Sequence, residues 1–590
     1  MANPLARYGL LAAALALAAA LYAPTLGRGI VNYDDTWLLQ DNYVLQDASW
    51  SSVHTVLFDL SSPQRFALTP EYLPVRDLSV MADFAVWRDW WGGFHLTSLV
   101  VYLASIALWY AALVAFGIDR RVAGIAILLW ALHPSHAESV AWLSERKGLL
   151  GMMFAGACAL GYATWRAPAA DGARRRGAWL ALAIACGVLA VWSKATAAFA
   201  VASLVGLELA LPALRASWRR SAAGLAAIAI AAGAAYIPVL VLAVRWSVVG
   251  ATAAALPASR AAMIVGVHGF YLRLGALGMR DAVSYPLSTF GPSALDLILG
   301  ALGFAAIAAA FAIKRTPSAV RAGAAIWLFG WLPVGHLILP LQMVFVADRY
   351  LLIPSLGLAL AAAAGLARIG NPRLRAALVA AIALAAAVRT LDAESHWASP
   401  VALWDRAVAS NPADGDAWAM YLEALDESGQ PELARAAVAA GLERASSPRL
   451  VMHDALFREA DGDHAGAMAR MREAADAGEP RAMADLARWL LDAHRTDEAL
   501  AYAKRAIDAM PAYGAGLRIY GKVLLEAGRY ADALDAFQRA YALERSNVDA
   551  LDIAVALLSL QRDAEARPYL EPLLLDPSLA PRARALLRRR

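Results

Sequence analysis

The chain has 590 residues, of which 60% are hydrophobic and 17% are charged, and its formal net charge is only +4. A mean hydropathy of +0.49 excludes an ordinary soluble domain and indicates an integral membrane protein. The small net charge gives no sign of a nucleic-acid partner. The two cysteines, Cys158 and Cys186, both lie in apolar runs, so the sequence offers neither a disulfide framework nor a thiolate metal site.

Apolar runs near the length that crosses about 30 Å of hydrocarbon recur from residue 8 to residue 390. The first run follows Arg7 and could be a cleaved signal peptide, but the polar loop and further spans after it favour an uncleaved span. The segment 259–279 is interrupted by His268 and Arg273, and we expect a re-entrant or interfacial helix there. We predict an all-α bundle of about eleven spans. They lie near 8–28, 95–116, 121–137, 148–165, 177–192, 195–213, 221–243, 293–313, 322–340, 351–367 and 374–390.

Clusters of basic residues between these spans all fall on one side of the predicted membrane. They are Arg7, Arg120–Arg121, Arg174–Arg176, Arg215 with Arg219 and Arg220, Lys314–Arg315, and Arg368 with Arg373 and Arg375. By the positive-inside rule that side is the cytoplasm, which leaves the C-terminal part of the chain outside. The high Ala and Arg content is typical of bacteria, so we expect an inner-membrane protein whose outer face meets the periplasm.

An acidic pair, Asp34 and Asp35, follows the first span directly in the segment VNYDDTWLLQDN. A base that acts on a lipid-borne substrate must sit at the membrane surface, and a short tether to a spanning helix fixes its depth. The alternative is a pair of solvated loop carboxylates.

Four more polar motifs fall on the same predicted side as the acidic pair. They are EYLPVRDLS (71–79), HPSHAESVAWLSERK (133–147), WSK (192–194) and ADRY (347–350). Polar residues that converge from five loops on one face of a bundle indicate a single outward-facing active site. The alternative is that they are ordinary loop residues between unrelated spans.

The last third of the chain is charged, rich in Ala and periodic. Around Gly528 the chain reads GRYADALDAFQRAYALE, and small residues recur about 34 positions earlier at Ala499, Ala503 and Ala506. This period predicts a tetratricopeptide array of paired antiparallel helices, whose concave surface suits an extended polypeptide. The alternative is a set of unrelated amphipathic helices. We therefore predict a transmembrane domain over residues 1–392, with an outer loop at 30–93, and a periplasmic repeat domain over residues 393–590.

The order of these features resembles one family. The acidic pair, HPSHAESVAWLSERKGLL, the Ser-Lys pair, ADRYLLIPSLG and the repeats together resemble the transmembrane and tetratricopeptide-repeat O-mannosyltransferases. That family belongs to the protein O-mannosyltransferase group of type-C glycosyltransferases. The resemblance covers essentially the whole chain, but Tyr72 is followed by Leu73-Pro74 instead of the usual Arg-Pro, and Ala195 replaces the Glu that often follows the Ser-Lys pair.

The resemblance implies a polyprenyl- or dolichyl-phosphate sugar as donor and a Ser or Thr of a translocated protein as acceptor. Asp34 aligns with the family's catalytic acidic position and Asp35 would orient it or the acceptor, although either could be the base. Adjacent carboxylates raise one another's pKa, which suits a base. Cations must stabilise the leaving lipid phosphate, and the guanidinium of Arg can bind two phosphate oxygens at once. The candidates, in order, are Arg349, Lys147, Arg146, Lys194 and Arg76.

His133, His136 and Glu138 lie close together in the third motif, with Pro134 between the histidines. Three roles stay open for them: hydrogen bonding to substrate or phosphate, capping of a helix, or metal ligation. A divalent metal is possible but not expected. Trp142 and Tyr350 are further candidates for substrate binding.

Two other functions remain open from the sequence. A non-catalytic, membrane-anchored tetratricopeptide scaffold for envelope assembly would use the repeats and the spans alone. A glycosyltransferase could also act on a glycan or lipid acceptor. The acidic pair and the basic residues on the same predicted face favour an enzyme, because an anchor would not need them.

Overall fold

The computed structural model describes residues 4–60, 68, 71–167, 173–211, 218–245, 259–278, 285, 291–337 and 345–588. All regular elements in this part of the chain are helical. The chain forms two compact units, the first made of Met1–Thr36 with Pro70–Ser410 and the second of Trp37–Thr69 with Asn411–Arg590. The division does not follow the boundary that we predicted at residue 392. Residues 393–410 belong to the first unit, and the predicted outer loop 30–93 contributes to both units.

The α-helices are numbered in chain order. The first sixteen are α1 (Pro4–Tyr22), α2 (Tyr43–Gln46), α3 (Trp50–Phe58), α4 (Pro74–Trp87), α5 (Trp91–Ala115), α6 (Arg120–Ala131), α7 (His136–Ala141), α8 (Arg146–Arg166), α9 (Ala173–Ser193), α10 (Ala197–Ala210), α11 (Trp218–Arg245), α12 (Arg260–Leu277), α13 (Ala294–Ala312), α14 (Ser318–Trp331), α15 (Pro354–Leu366) and α16 (Pro372–Ser395). The others are α17 (Pro400–Ser410), α18 (Gly415–Glu427), α19 (Pro431–Arg444), α20 (Pro448–Ala460), α21 (His464–Asp476), α22 (Pro480–Asp492), α23 (Thr496–Ala509), α24 (Gly514–Glu526), α25 (Tyr530–Glu544), α26 (Asn547–Ser559), α27 (Asp563–Leu570) and α28 (Ala580–Leu587).

Seven helical stretches among the described residues are long and apolar enough to cross a membrane. They are Tyr8–Gly27, Trp91–Ala115, Leu143–Arg166, Arg176–Ser193, Trp218–Leu242, Ala294–Ala312 and Pro372–Ser395. Ala197–Ala210 and Pro354–Leu366 are shorter apolar helices.

Four of the predicted spans coincide with short helices. The spans 195–213 and 351–367 contain the two shorter apolar helices, α10 and α15. The helix in 121–137, α6, has 12 residues, and the helix in 322–340, α14, has 14. At 1.5 Å per residue each is about 20 Å long, less than the hydrocarbon thickness. The interrupted segment 259–279 contains α12, of 18 residues. Arg215 and the side chains of Arg7, Arg174 and Arg175 lie outside the described residues.

Buried tryptophans tie the helices of the first unit to one another. The indole N–H of Trp109 on α5 donates to the carbonyl of Met152 on α8 at 3.0 Å. The indole N–H of Trp130 on α6 donates to the carbonyl of Leu352, just before α15, also at 3.0 Å. Because a buried polar group must find a partner, these bonds fix α6 and α8 against their neighbours while the rings fill the core.

The second unit contains five consecutive helix pairs at a constant spacing. The first helices of the pairs begin at residues 415, 448, 480, 514 and 547, and the second helices at 431, 464, 496, 530 and 563. Each helix therefore begins 32 to 34 residues after its counterpart, which is the tetratricopeptide period. The predicted array is confirmed as a tetratricopeptide-like solenoid of helix pairs.

Small residues allow the two helices of each repeat to pack closely. Ala499, Ala503 and Ala506 on α23 have no exposed surface. In the next repeat Phe537 on α25 is also fully buried, and a Cβ at Gly521 on α24 would lie only 2.5 Å from its ring. The turn between these two helices needs a left-handed backbone, which Gly528 supplies with φ +73°.

An inserted segment from the N-terminal part of the chain packs on this array. It comprises residues 37–60, including α2 and α3, and we call it the inserted segment. The Tyr43 hydroxyl donates to the carbonyl of Ala542 at 2.8 Å, and the Arg545 guanidinium lies 5.5 Å from the centre of the Tyr43 ring. The repeat unit is therefore built from two distant parts of the sequence.

We predict that Phe537→Ala destabilises the repeat locally by about 3 kcal/mol or more, because it leaves a cavity between α24 and α25. Hydrogen exchange of the full-length protein should then show faster exchange in 514–544 than in 415–444. Tyr530→Ala, on the same helix but 38% exposed, is the control and should leave exchange nearly unchanged. Equal effects of the two substitutions would contradict this packing.

Candidate functional site

Asp35 is a buried anchor for the loop that follows α1. Only 1% of its surface is exposed. Its carboxylate accepts hydrogen bonds from the Val31 N–H at 3.2 Å, the Ser144 N–H at 2.9 Å and the Ser144 hydroxyl at 2.5 Å. Burial raises its pKa to about 6, the bonds from Ser144 and Val31 oppose this, and neighbouring Asp34 adds a smaller upward effect. Asp35 therefore joins the N-terminal loop to the turn Leu143–Glu145.

Asp34 is only partly buried and follows an aromatic residue that fixes its position. The Tyr33 ring stacks on Trp142 at 4.8 Å with an interplanar angle of 19°, and Trp404 meets it edge-on at 5.4 Å. The Trp404 indole N–H donates to the side-chain oxygen of Asn32 at 2.8 Å. These contacts hold the backbone on the N-terminal side of Asp34, as Asp35 holds it on the other side.

Arg349 is held by both oxygens of Glu138. Its backbone N–H donates to Oε2 of Glu138 at 2.8 Å, and its guanidinium forms an ion pair with Oε1. The guanidinium also lies 5.2 Å from the centre of the Trp142 ring and 5.3 Å from that of Tyr350. Burial opposes the charge, but Glu138 and other neighbouring groups hold the pKa of Arg349 well above its usual value. Arg349 is therefore a permanent cation beside Trp142.

Glu145 connects Arg349 to a second cation. Its carboxylate pairs with the ammonium of Lys194, and its Oε2 lies 3.9 Å from Nε of Arg349. The Lys194 ammonium also lies 5.9 Å from the centre of the Tyr350 ring. Burial lowers the pKa of Lys194, while Glu145 counteracts this effect. A carboxylate between two cations holds both of them in one place.

The second motif adds another ion pair to this group. Lys147 Nζ lies 2.8 Å from Oε2 of Glu71. Burial raises the pKa of Glu71, but Lys147, Arg76 and Lys194 together lower it to about 2. The Arg76 guanidinium contacts the carboxylate of its neighbour Asp77, with Nε 2.7 Å from Oδ1.

The structure thus brings together residues from all five predicted loops. We call this set the charged cluster: Glu71, Arg76, Glu138, Glu145, Lys147, Lys194 and Arg349, with Trp142 and Tyr350 beside it. The first loop reaches it through Tyr33, the residue before Asp34, which interacts electrostatically with Arg349 and Glu138. A cleft of about 20 Å³ adjoins it, lined by Lys194, Arg349 and Tyr350 together with apolar residues such as Val334 and Ile353. This volume holds about one water molecule, so a larger anion enters only if an ion pair opens.

Arg146 makes its contacts with residues outside the charged cluster. It is 1% exposed, pairs with Asp83, and donates to the Ser98 hydroxyl at 3.1 Å and to the Phe94 carbonyl at 2.7 Å. These partners lie on α4 and α5, so Arg146 holds those helices against the start of α8.

The two histidines of the third motif also contact protein groups on both sides of each ring. His133 contacts the Ser135 hydroxyl at 2.7 Å and the Gly275 carbonyl at 2.8 Å. His136 contacts the Tyr102 and Ser355 hydroxyls at 2.8 and 3.0 Å. In the described part of the chain, no group of three or more His, Cys, Asp or Glu residues could hold a metal ion. The structure therefore places the histidines in contacts between helices, and of this motif's first half only Glu138 reaches the charged cluster.

Sequence reasoning missed four residues that shape this region: Tyr33, Glu71, Ser144 and Glu145. Glu71 and Glu145 stand inside the motifs that we singled out, and Glu145 lies two residues before Lys147. A search for an acid near each candidate cation would have found them. Tyr33 and Ser144 carry no such signal, because their roles depend on contacts between distant segments.

No protein-family model and no curated protein matches the chain. Among solved structures, pilF of Pseudomonas aeruginosa aligns at 17% identity over 31% of this chain and 86% of its own length, with a TM-score of 0.27. The APC/C hetero-tetramer Cut9–Hcn1 aligns at 12% identity over 92% of this chain and 99% of its own, with a TM-score of 0.29. These scores are too low to assign a function, and the repeat array is identified by its own helix spacing.

We predict that infrared difference spectroscopy detects a carboxyl group that titrates near pH 6 and is absent from Asp35→Asn. Because the folded-state pKa is raised, the folded protein binds an extra proton between pH 3.8 and 6, so its stability falls as the pH rises through that window. Asp35→Asn should remove this part of the pH dependence.

Two controls sharpen this titration. Asp34→Asn should keep the carboxyl signal, and Ser144→Ala should move its midpoint upward, since the ionised form loses a hydrogen bond. A midpoint near the usual aspartate value in the wild type would contradict the buried geometry of Asp35.

Proposed function

We propose that the chain is an inverting membrane glycosyltransferase. It would move a sugar, mannose according to the family resemblance, from a polyprenyl-phosphate donor to Ser or Thr hydroxyls of a translocated protein. The observation that carries the proposal is the convergence of the cations Arg349 and Lys194 from separate loops on the segment at Tyr33, which the partly exposed carboxylate Asp34 follows directly. A sugar transfer from a lipid phosphate needs such a base and such cations together.

Asp34 is the better candidate for the base. Asp35 accepts three hydrogen bonds and is buried, so its carboxylate is committed to the turn at Ser144. Asp34 is half-buried between two fixed neighbours, which suits a base that must meet an acceptor hydroxyl. As the hydroxyl oxygen attacks the anomeric carbon, its proton passes to Asp34, and the bond from that carbon to the phosphate oxygen breaks.

The leaving lipid phosphate gains negative charge as this bond breaks. Arg349 and Lys194 would stabilise it, with Lys147 as a further cation of the same cluster. Glu138 and Glu145 keep these cations in place before the donor arrives, because a buried cation without a partner is costly. On donor binding, phosphate oxygens would replace part of the contact between Glu145 and Lys194. The apolar residues that line the cleft, such as Val334 and Ile353, would contact the isoprenoid chain.

The setting of this reaction follows from the predicted topology. The apolar helices would lie in a bacterial inner membrane, with the N-terminus in the cytoplasm and the repeat unit in the periplasm. The repeats would bind the acceptor polypeptide, since helical repeat arrays commonly present extended binding surfaces.

A second candidate function is a membrane-anchored scaffold without catalysis. The observation in its favour is that Arg349, Lys194 and Lys147 each pair with a carboxylate, as they would in a purely structural charge network. A transferase that uses a glycan or lipid acceptor would keep the same cluster and change only the role of the repeats.

The proposal is tested by transfer of radiolabelled sugar from polyprenyl-phosphate-mannose to periplasmic proteins. We expect label on protein from the wild type and at least about a 1,000-fold loss in Asp34→Asn, because the acceptor hydroxyl loses its base. Asp89→Asn is the matched control, since Asp89 is an exposed acid in the same N-terminal region. It should retain full activity.

Three outcomes would contradict the proposal in different ways. Equal activity of Asp34→Asn and Asp89→Asn would exclude Asp34 as the base. No transfer from several lipid-linked sugars would favour the scaffold. Label on lipid or glycan alone would support a glycosyltransferase but would contradict a protein acceptor. Point substitutions are preferable to truncation at residue 397, because Trp397 and Trp404 pack on Trp142 and Tyr33 within the first unit.

A further inference from the structure

Two large clefts in the described part of the second unit share Tyr43 in their linings. One cleft, of about 730 Å³, lies between Trp37, Asp41 and Gln46 of the inserted segment and Glu544 at the end of α25. The other, of about 710 Å³, is lined by Asp47, Trp50, His54 and Asp59 with Arg545. Both volumes are in the range of ligand-binding clefts, and both are formed where the inserted segment meets the repeats.

The inserted segment carries charge of one sign. Residues 37–60 include Asp41, Asp47 and Asp59, and they include no Lys or Arg. On the repeat side, Glu544 forms an ion pair with Arg518 at 2.5 Å, and Arg545 contacts the ring of Tyr43. Arg518 and Arg545 are therefore both engaged within the unit. The surface formed by the inserted segment and the two clefts complements a cationic ligand.

Large aromatic side chains stand exposed beside these acids. Trp50 is 71% exposed, Phe58 is 64% exposed and Trp37 is 40% exposed. Trp50, His54 and Phe58 are spaced four residues apart, so they share one face of α3. Exposed tryptophans are common anchors in binding surfaces, and an aromatic face also attracts a Lys or Arg side chain.

We propose that this surface binds the acceptor polypeptide in an extended form and selects segments with Lys or Arg near the hydroxyl that is modified. That the bound polypeptide is a sugar acceptor rests on the proposed glycosyltransferase function, whereas binding of a Lys- or Arg-containing polypeptide does not. In the sequence only Thr36 separates Asp35 from Trp37, the first residue of the surface. A membrane surface is the less suitable partner, because anionic lipids repel the three acids of the inserted segment, which itself has no Lys or Arg.

The test is fluorescence anisotropy of labelled peptides with the purified full-length protein and no sugar donor. One peptide carries Ser and Thr among Lys residues, and the other has Glu in place of each Lys. We expect the Lys peptide to bind and the Glu peptide not to bind. Asp41→Asn and Trp50→Ala should each weaken binding about tenfold. Asp535→Asn, an acid on α25 outside both clefts whose side chain is 72% exposed, is the matched control and should bind as the wild type does.

The outcomes separate this surface from the chemistry. Equal binding of the two peptides, or no effect of either cleft substitution, would overturn the proposed surface. Binding of anionic vesicles that depends on Trp50, without peptide binding, would assign the surface to the membrane and overturn the proposal. If the wild type binds the Lys peptide but shows no transferase activity, and Asp34→Asn binds it equally well, the surface is supported while the proposed function fails.

Discussion

The ion pair between Glu138 and Arg349 is the contact on which the candidate site depends. A guanidinium that is 9% exposed needs a partner, and Glu138 supplies one oxygen to the side chain and the other to the backbone of residue 349. This double contact fixes the turn Asp348–Leu351 and places the Arg349 guanidinium near the Trp142 ring. Trp142 in turn stacks on Tyr33, which precedes the partly exposed Asp34. One buried charge pair therefore links the phosphate-binding candidate to the candidate base.

The repeat unit depends on a different physical constraint. Its helix pairs pack through small residues such as Ala503, and they repeat at nearly constant spacing. The inserted segment interrupts this regularity by adding polar and aromatic groups next to the turn at Arg545. We propose that the helix pairs of this unit provide a rigid support and that the inserted segment provides the specific binding surface.

Much of this organisation is readable from the sequence. The repeats are predictable because the positions of Ala499, Ala503 and Ala506 recur about 34 residues later as Ala533, Phe537 and Ala540 on α25. We expected the charged motifs to gather because the predicted alternation of apolar spans and polar loops would put every second loop on one side of a membrane.

The individual contacts are not readable in the same way. Arg146 and Lys147 are adjacent, yet one pairs with Asp83 and the other with Glu71, because neighbouring residues of a helix point about 100° apart. For His133 and His136 the sequence left substrate binding, helix capping and metal ligation open, but both rings bond to groups from other helices that are distant in sequence. The docking of Tyr43 on Ala542 joins residues almost 500 positions apart, and no local pattern indicates it.

In the proposed reaction the charged cluster binds a lipid phosphate between Arg349 and Lys194, with the sugar toward Asp34. The most direct measurement is a cryo-electron microscopy structure of the full-length protein with a non-hydrolysable phosphonate analogue of polyprenyl-phosphate-mannose. We predict density for the phosphonate within hydrogen-bonding distance of Arg349 and Lys194, with the Lys194–Glu145 pair opened and the anomeric carbon facing Asp34. Phosphonate density away from these residues, with both ion pairs intact, would contradict this mode of donor binding.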